Sequence, residues 1–118
     1  MNEIPFGAIV LIAFPFTDLT ATKRRPALVI STDNDCRNDV VLAFITSNVD
    51  HDKDSMAIDA TPATGLKVPS LVRFDKIASL SRAIIVGRIG NADPIWLAAA
   101  RNVFFGVFGF EWEGHSRA

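Results

Sequence analysis

Residues 8–14 read AIVLIAF, an unbroken apolar run with no polar alternation. A strand with one wet face alternates apolar and polar side chains, because successive residues point to opposite sides of the sheet. This run does not alternate, so both of its faces need cover. It is either a central strand of a barrel or a strand sealed by a second chain. Pro15 closes it, and it falls well short of the ~20 residues that span a bilayer.

The rest of the chain is divided into similar short units. Residues 27–32 and 40–46 are further β-branched runs, separated by the turn-rich stretch DNDCRN at 33–38,. Residues 15–25 read as a polar loop ending at Pro26. Residues 47–54 (SNVDHDKD) and 61–69, which hold Pro62, Gly65 and Pro69, read as further loops,. Residues 56–59 are a candidate short strand, and 70–74 and 83–89 are the last strands. Asp93-Pro94 then offers an N-cap followed by proline at the first helical position,. Trp96, Ala99, Val103 and Val107 follow at helical spacing, Leu97, Phe104 and Phe108 form an adjacent stripe, and Gly106 and Gly109 weaken the far end,. Many short strands followed by one C-terminal helix predict a mainly β fold, a small twisted barrel with the helix packed on it. The apolar surface of that helix is broad. It is either internal core or, together with residues 8–14, partly buried in a homodimer.

At 118 residues the chain reads as one domain, 1–118,. A formal net charge of -1 provides no bulk basic field, so any site for a polyanion must be local,. The single cysteine, Cys36, excludes an internal disulfide, and with only His51 and His115 no metal site is expected,. No cofactor motif is found. The start, MNEIP, lacks the cationic opening of a signal peptide, and a cytoplasmic protein with no membrane segment is expected,.

Three places are candidates for chemistry. Lys23, Arg24 and Arg25 stand directly before Pro26, which biases Arg25 toward an extended conformation,. A guanidinium fixed in this way loses less freedom on binding, and its planar fork matches phosphate oxygens. The plainer reading is a solvated loop with an arginine paired to a carboxylate such as Asp18. Thr46, Ser47 and Asn48 present hydroxyl and amide groups where a strand ends, where rigid scaffolds display functional groups, although such residues often only bond the local backbone,. Arg73 and Asp75, two apart in a strand, share the face opposite Val72 and Phe74,. They form either a surface ion pair or a carboxylate beside a phosphate-binding arginine.

The blocks IVLIAFPFTDLTATKRRPALVIS, FITS and VRFDKIASLSRAIIVGRIG together resemble the PemK/MazF family of type II toxin–antitoxin endoribonucleases, over nearly the whole chain. The resemblance implies an SH3-like or CcdB-like barrel and a homodimer. It implies metal-independent cleavage of single-stranded RNA at short sequences. It also implies a cognate antitoxin whose acidic tail occupies the same groove, and DNA binding together with that antitoxin. On the family pattern the key arginine before the proline is Arg25, the key threonine closing the next strand is Thr46, and an Arg-x-Asp pair is matched by Arg73 and Asp75. The RNA-binding set expected beside the catalytic Arg25, Thr46 and Asp75 is Phe16, Thr17, Lys23, Arg24, Ser47, Asn48 and Arg73. Two departures stand out. Gly7-Ala8 replaces the Gly-Asp of many members, and no histidine lies between Pro15 and Arg25. Two alternatives share the barrel. One is a gyrase-poisoning toxin acting through C-terminal contacts such as Phe110-Glu111-Trp112-Glu113, and the other is a catalytically silent member that only binds antitoxin.

Overall fold

The computed structural model describes residues 4–15, 22–33, 37–50 and 52–111. Six strands and one helix follow in order: β1 (Ala8–Pro15), β2 (Thr22–Val29), β3 (Asp39–Thr46), β4 (Ser55–Ile58), β5 (Ser70–Ser81), β6 (Ile85–Asn91) and α1 (Pro94–Val107). The strands form one antiparallel sheet in the order β4-β5-β3-β2-β1-β6.

That order forces the sheet to curl. β5 and β6 flank the three strands β3, β2 and β1, yet only the 3-10 turn Arg82–Ile84 joins them. In a flat sheet, four steps of ~4.8 Å would hold them ~19 Å apart. The four residue steps from Ser81 to Ile85 reach at most about 14 Å,. The sheet therefore wraps, and its concave face buries Ala8, Val10, Ile12, Ala27, Val29, Val40 and Leu42, with Leu80, Ile84 and Ile85 folded over them.

The opposite face buries Ile9, Leu28, Ala43, Ile45, Val72 and Phe74 beneath α1. Phe74 is the centre of this layer, with Phe104 edge-on at 6.1 Å and Trp96 at 6.4 Å between ring centroids. β1 thus contributes to both layers, as its unbroken apolar run requires. The helix starts as its sequence predicts: Asp93 accepts hydrogen bonds from the N–H groups of Ile95 (2.9 Å) and Trp96 (3.3 Å), with Pro94 at the first position,.

The barrel is not closed by strand pairing, since no ladder joins β4 to β6. The chain after β4 spans the gap instead. Asn91 N–H donates to the Ala63 carbonyl at 2.9 Å, and Gly65, at φ +72, passes against the Ile89 carbonyl. Trp96 Nε1 donates to the carbonyl of Ala57 in β4 at 2.7 Å and fastens the helix to the sheet edge.

Several local expectations are corrected. Lys23, Arg24 and Arg25 lie within β2, paired with Phe14, Ala13 and Ile12 of β1, rather than in a loop. The polar groups of β1 needed that partner, and the exposed cations stay hydrated at a strand edge,. β5 runs on to Ser81 instead of stopping at Phe74, because Ile77 to Ser81 pair with β3. In α1 the buried small residue is Ala100, while Ala99 faces outward. Among the described residues no helix is long and apolar enough to cross a membrane.

Candidate active site

Arg25 and Thr46 are distant in sequence but fall on the same face of the sheet. Ala27 and Val29 of β2 point into the concave layer and Leu28 into the helix layer. The two-residue period of a strand then assigns Arg25 to the concave side. Val40, Leu42 and Phe44 of β3 point to that side, which assigns Thr46 there too. The last bridged pair between the strands is Ala27 opposite Phe44. Continued by two residues, the same register would set Arg25 opposite Thr46.

The ladder stops short of that pair for two reasons. Ile30 N–H donates to the Val41 carbonyl at 2.9 Å, so residues 30, 28 and 26 are those that turn their N–H groups toward β3,. The last of these is Pro26, which has no N–H to give. On the other bank β3 turns away: Thr46 Oγ1 accepts from Asn48 N–H at 3.1 Å, and residues 47–50 are exposed,. The β2–β3 ladder ends at the Ala27–Phe44 pair, and Arg25 and Thr46 are the next residues of the two strands on that face.

Arg73 lies on the next strand across. It pairs with Phe44 while Thr46 pairs with Leu71, so Arg73 is a diagonal neighbour of Thr46 on the same face, about 7–8 Å away,. Immediately after it the register breaks: Ala43 pairs with Ile77, which leaves Phe74, Asp75 and Lys76 in a bulge,. Phe74 is buried, and Asp75 turns back to Arg73. Arg73 Nε and Nη2 donate to the two carboxylate oxygens at 2.9 and 2.7 Å, a bidentate pair about 30% exposed,. The hydrogen bonds from Arg73 hold the Asp75 carboxyl below the usual carboxylate range, against a smaller opposing effect of lost hydration,. The bond to Asp75 likewise raises the affinity of Arg73 for its proton, with further help from the charges of Asp52 and Asp54. On the concave side β2 therefore presents Lys23 and Arg25, both exposed, while Arg24 is exposed on the opposite side, and the charges of Asp52, Asp54 and Asp75 lie around Arg73,.

Of the residues expected from sequence, Arg25, Thr46 and Arg73 fall on one face of the sheet by register, and Asp75 is bonded to Arg73. Ser47 and Asn48 are exposed at the turn that ends β3, and Lys23 and Arg24 line the β2 edge. Phe16 and Thr17 lie outside the described residues. Two features were missed. One is Pro26 as a cause of the end of the β2–β3 ladder, signalled by a proline beside three cations. The other is the charge of Asp52 and Asp54 near Arg73, signalled by the DHDKD run at 50–54.

A curled antiparallel sheet of six strands, with one C-terminal helix on one face and exposed cations on β2, defines a small, mainly β protein. The family described as PemK-like, MazF-like toxin of type II toxin-antitoxin system matches residues 6–104, and the chain belongs to it. A protein named probable endoribonuclease MazF, from Mycolicibacterium smegmatis, is 36% identical over 92 residues, which cover 74% of this chain and 84% of that protein. Among solved structures, a MazE-MazF structure from Deinococcus radiodurans superposes with a TM-score of 0.77 at 22% identity, covering 93% of this chain and 100% of that one. An endoribonuclease in complex with its cognate antitoxin, from a mycobacterial species, gives 0.74 at 19% identity, covering 95% and 99%. At those identities the likeness is one of fold.

Proposed function

We propose that this toxin-family chain is a metal-independent endoribonuclease that cuts single-stranded RNA at a short sequence. The observation that carries the reading is the register: Arg25 and Thr46 are the pair that would come next where the β2–β3 ladder opens. RNA brings its own nucleophile. The 2′-oxygen attacks the adjacent phosphorus as the bond to the 5′-oxygen breaks, leaving a 2′,3′-cyclic phosphate and a 5′-hydroxyl. The protein has to stabilise charge on the five-coordinate phosphorus, accept the 2′-hydroxyl proton and leave water to protonate the departing oxygen.

Arg25 is assigned the charge, a donor fixed in a strand and aimed where negative charge develops. Thr46 holds the phosphate in line. Asp75 is the candidate proton acceptor, although Arg73 engages it in the free protein. A substrate phosphate that draws the Arg73 guanidinium to itself frees that carboxylate and raises its proton affinity, so the substrate arms its own base. Lys23 and Arg24 follow the RNA backbone, while Ser47 and Asn48, with Phe16 and Thr17, contact unpaired bases.

The partners follow the same reading: a cognate antitoxin, since one structural relative is an endoribonuclease in complex with its own, with the acidic tail that the family resemblance implies, and a second copy of the chain. A single copy leaves Ile95 81% and Phe110 70% exposed, which favours a homodimer that covers them,. The test is digestion of single-stranded RNA in excess EDTA, with the product ends mapped. Cleavage leaving 2′,3′-cyclic phosphate ends is expected. No cleavage, or cleavage only when a divalent ion is restored, would sink the proposal.

A further inference from the structure

The concave face changes character at Phe44. Before it on β3, Val40 and Leu42 are buried in the concave layer, and after it Thr46 ends the strand. Phe44 packs against that layer yet is only half-buried. Register fixes what stands beside it. Ala27 of β2 is directly opposite on one side, fully buried and too short to cover a ring. Arg73 of β5 is directly opposite on the other side. Beyond the bulge at 74–76, the residue of β5 level with Leu42 is another alanine, Ala78. Small neighbours on both flanking strands leave part of the phenyl ring in water at the place where the layer meets Arg25, Thr46 and Arg73. Sealing the end of the layer needs only apolar bulk. The flat face of an aromatic ring is a further property, and single-stranded nucleic acid uses it.

We infer that Phe44 is a substrate-binding residue whose ring stacks on the base of a nucleotide flanking the bond that is cut. The proposal rests on the reading of Arg25 and Thr46 as the residues that hold the scissile phosphate, and it names where an adjoining base goes. Distance supports it. Thr46 is one two-residue repeat further along the same face, ~7 Å from Phe44, a gap that one sugar bridges between a phosphate and its base. Arg73, in the position directly across from Phe44, has a planar guanidinium within reach of the same nucleotide,. The chemistry fits an unpaired strand: an unstacked base exposes two apolar faces, and an aromatic side chain covers one of them whatever the base. A duplex would keep those faces inside its own stack, so the contact selects single-stranded substrate.

The test separates the ring from its bulk. Phe44→Leu and Phe44→Met keep apolar volume over the layer and remove the aromatic face, and Phe44→Tyr keeps the ring. Each folded protein is given a single-stranded RNA with a mapped cut, and versions in which an abasic ribose that keeps its 2′-hydroxyl replaces, in turn, each nucleotide flanking that bond. For the wild-type protein, one of the two abasic substrates should lower kcat/KM about 5-fold or more, the value of one base–aromatic stack. Phe44→Leu and Phe44→Met should lose about as much on intact RNA, mainly through a raised KM, and should lose little more on that abasic substrate. Phe44→Tyr should behave as the wild type does. A wild-type enzyme indifferent to both abasic substitutions overturns the proposal, with no variant needed. Leucine and methionine variants that cut intact RNA as well as the wild type overturn it too. Variants slowed by the same factor on intact and abasic RNA overturn it in favour of packing alone. In all three of those results the nuclease reading survives, whereas a wild-type protein that cuts no RNA ends both.

Discussion

Replacing Gly65 with alanine should damage the fold far more than the size of a methyl group suggests. The residue sits at φ +72, where an L side chain costs about 1–2 kcal/mol,. Its new Cβ would lie 2.1 Å from the Ile89 carbonyl oxygen, so backbone must move. The movement pulls on the strap that bridges β4 and β6, where Asn91 N–H meets the Ala63 carbonyl, a bond with a net value of about 0.5–1.5 kcal/mol,. Together these predict a loss of about 1.5–3.5 kcal/mol. For 118 residues, an unfolding entropy of about 2.1 cal/mol/K per residue makes each kcal/mol worth about 4 °C,. The expected fall in Tm is about 6–14 °C, measured by circular dichroism at fixed protein concentration, since dimerisation would make Tm concentration-dependent. Gly106→Ala is the internal control. It lies within α1, where an added Cβ meets nothing within 4 Å, and should raise Tm by about 2–4 °C through the helix preference of alanine over glycine,. A Gly65→Ala protein melting within about 3 °C of wild type would refute the strap as the closure of the barrel.

Two further perturbations follow from printed geometry. Asp75→Asn should cost under ~1 kcal/mol at pH 7, because the pair with Arg73 is substantially exposed and screened,. Arg73 lowers the pKa of Asp75, so that contribution is present above the unfolded carboxylate value of ~4 and disappears as pH falls through the folded value,. Urea midpoints of the two proteins should therefore differ at pH 7 and draw together as pH is lowered below about 4, and a difference that grows on acidification would reverse the sign of the argument,. Asp93→Ala removes the acceptor of two helix-start N–H groups and should cost about 1 kcal/mol, or about 4 °C in Tm,. An unchanged Tm would mean that water replaces the cap.

The parts of this fold that were legible in the sequence are those set by local chemistry. The unbroken AIVLIAF run demanded cover on both faces; Ala8, Val10 and Ile12 are buried on one and Ile9 on the other, while Leu11 and Ala13 stay half-buried, and Asp93-Pro94 started a helix where such a pair should. What escaped was set by distant partners. Nothing local in TKRR marks a strand; β1 draws it into one by needing hydrogen bonds along Ala13 to Pro15. KIAS LS at 76–81 is only weakly patterned, and it extends because β3 offers an edge after the bulge at 74–76. The site divides in the same way. The Arg73–Asp75 pair is readable from a spacing of two in a strand. That Arg25 and Thr46 come next on the same face where the ladder ends depends on the β2–β3 register and on a missing proline N–H, which no spacing within either segment reveals. The strength with which Arg73 holds Asp75 in the free protein, the feature that bears most on its use as a base, also emerged only from the side-chain geometry.

The account stands on Arg25 and Thr46 acting on one phosphate from opposite banks. Single-turnover RNA cleavage by Arg25→Ala, Thr46→Val and the double variant, in EDTA and on folded protein, measures this directly. Loss of Arg25 should slow cleavage on the order of 100-fold or more. If the two residues serve the same phosphate, the double variant should be little slower than Arg25→Ala alone. Cleavage unchanged by Arg25→Ala, or losses that simply multiply in the double variant, would contradict it.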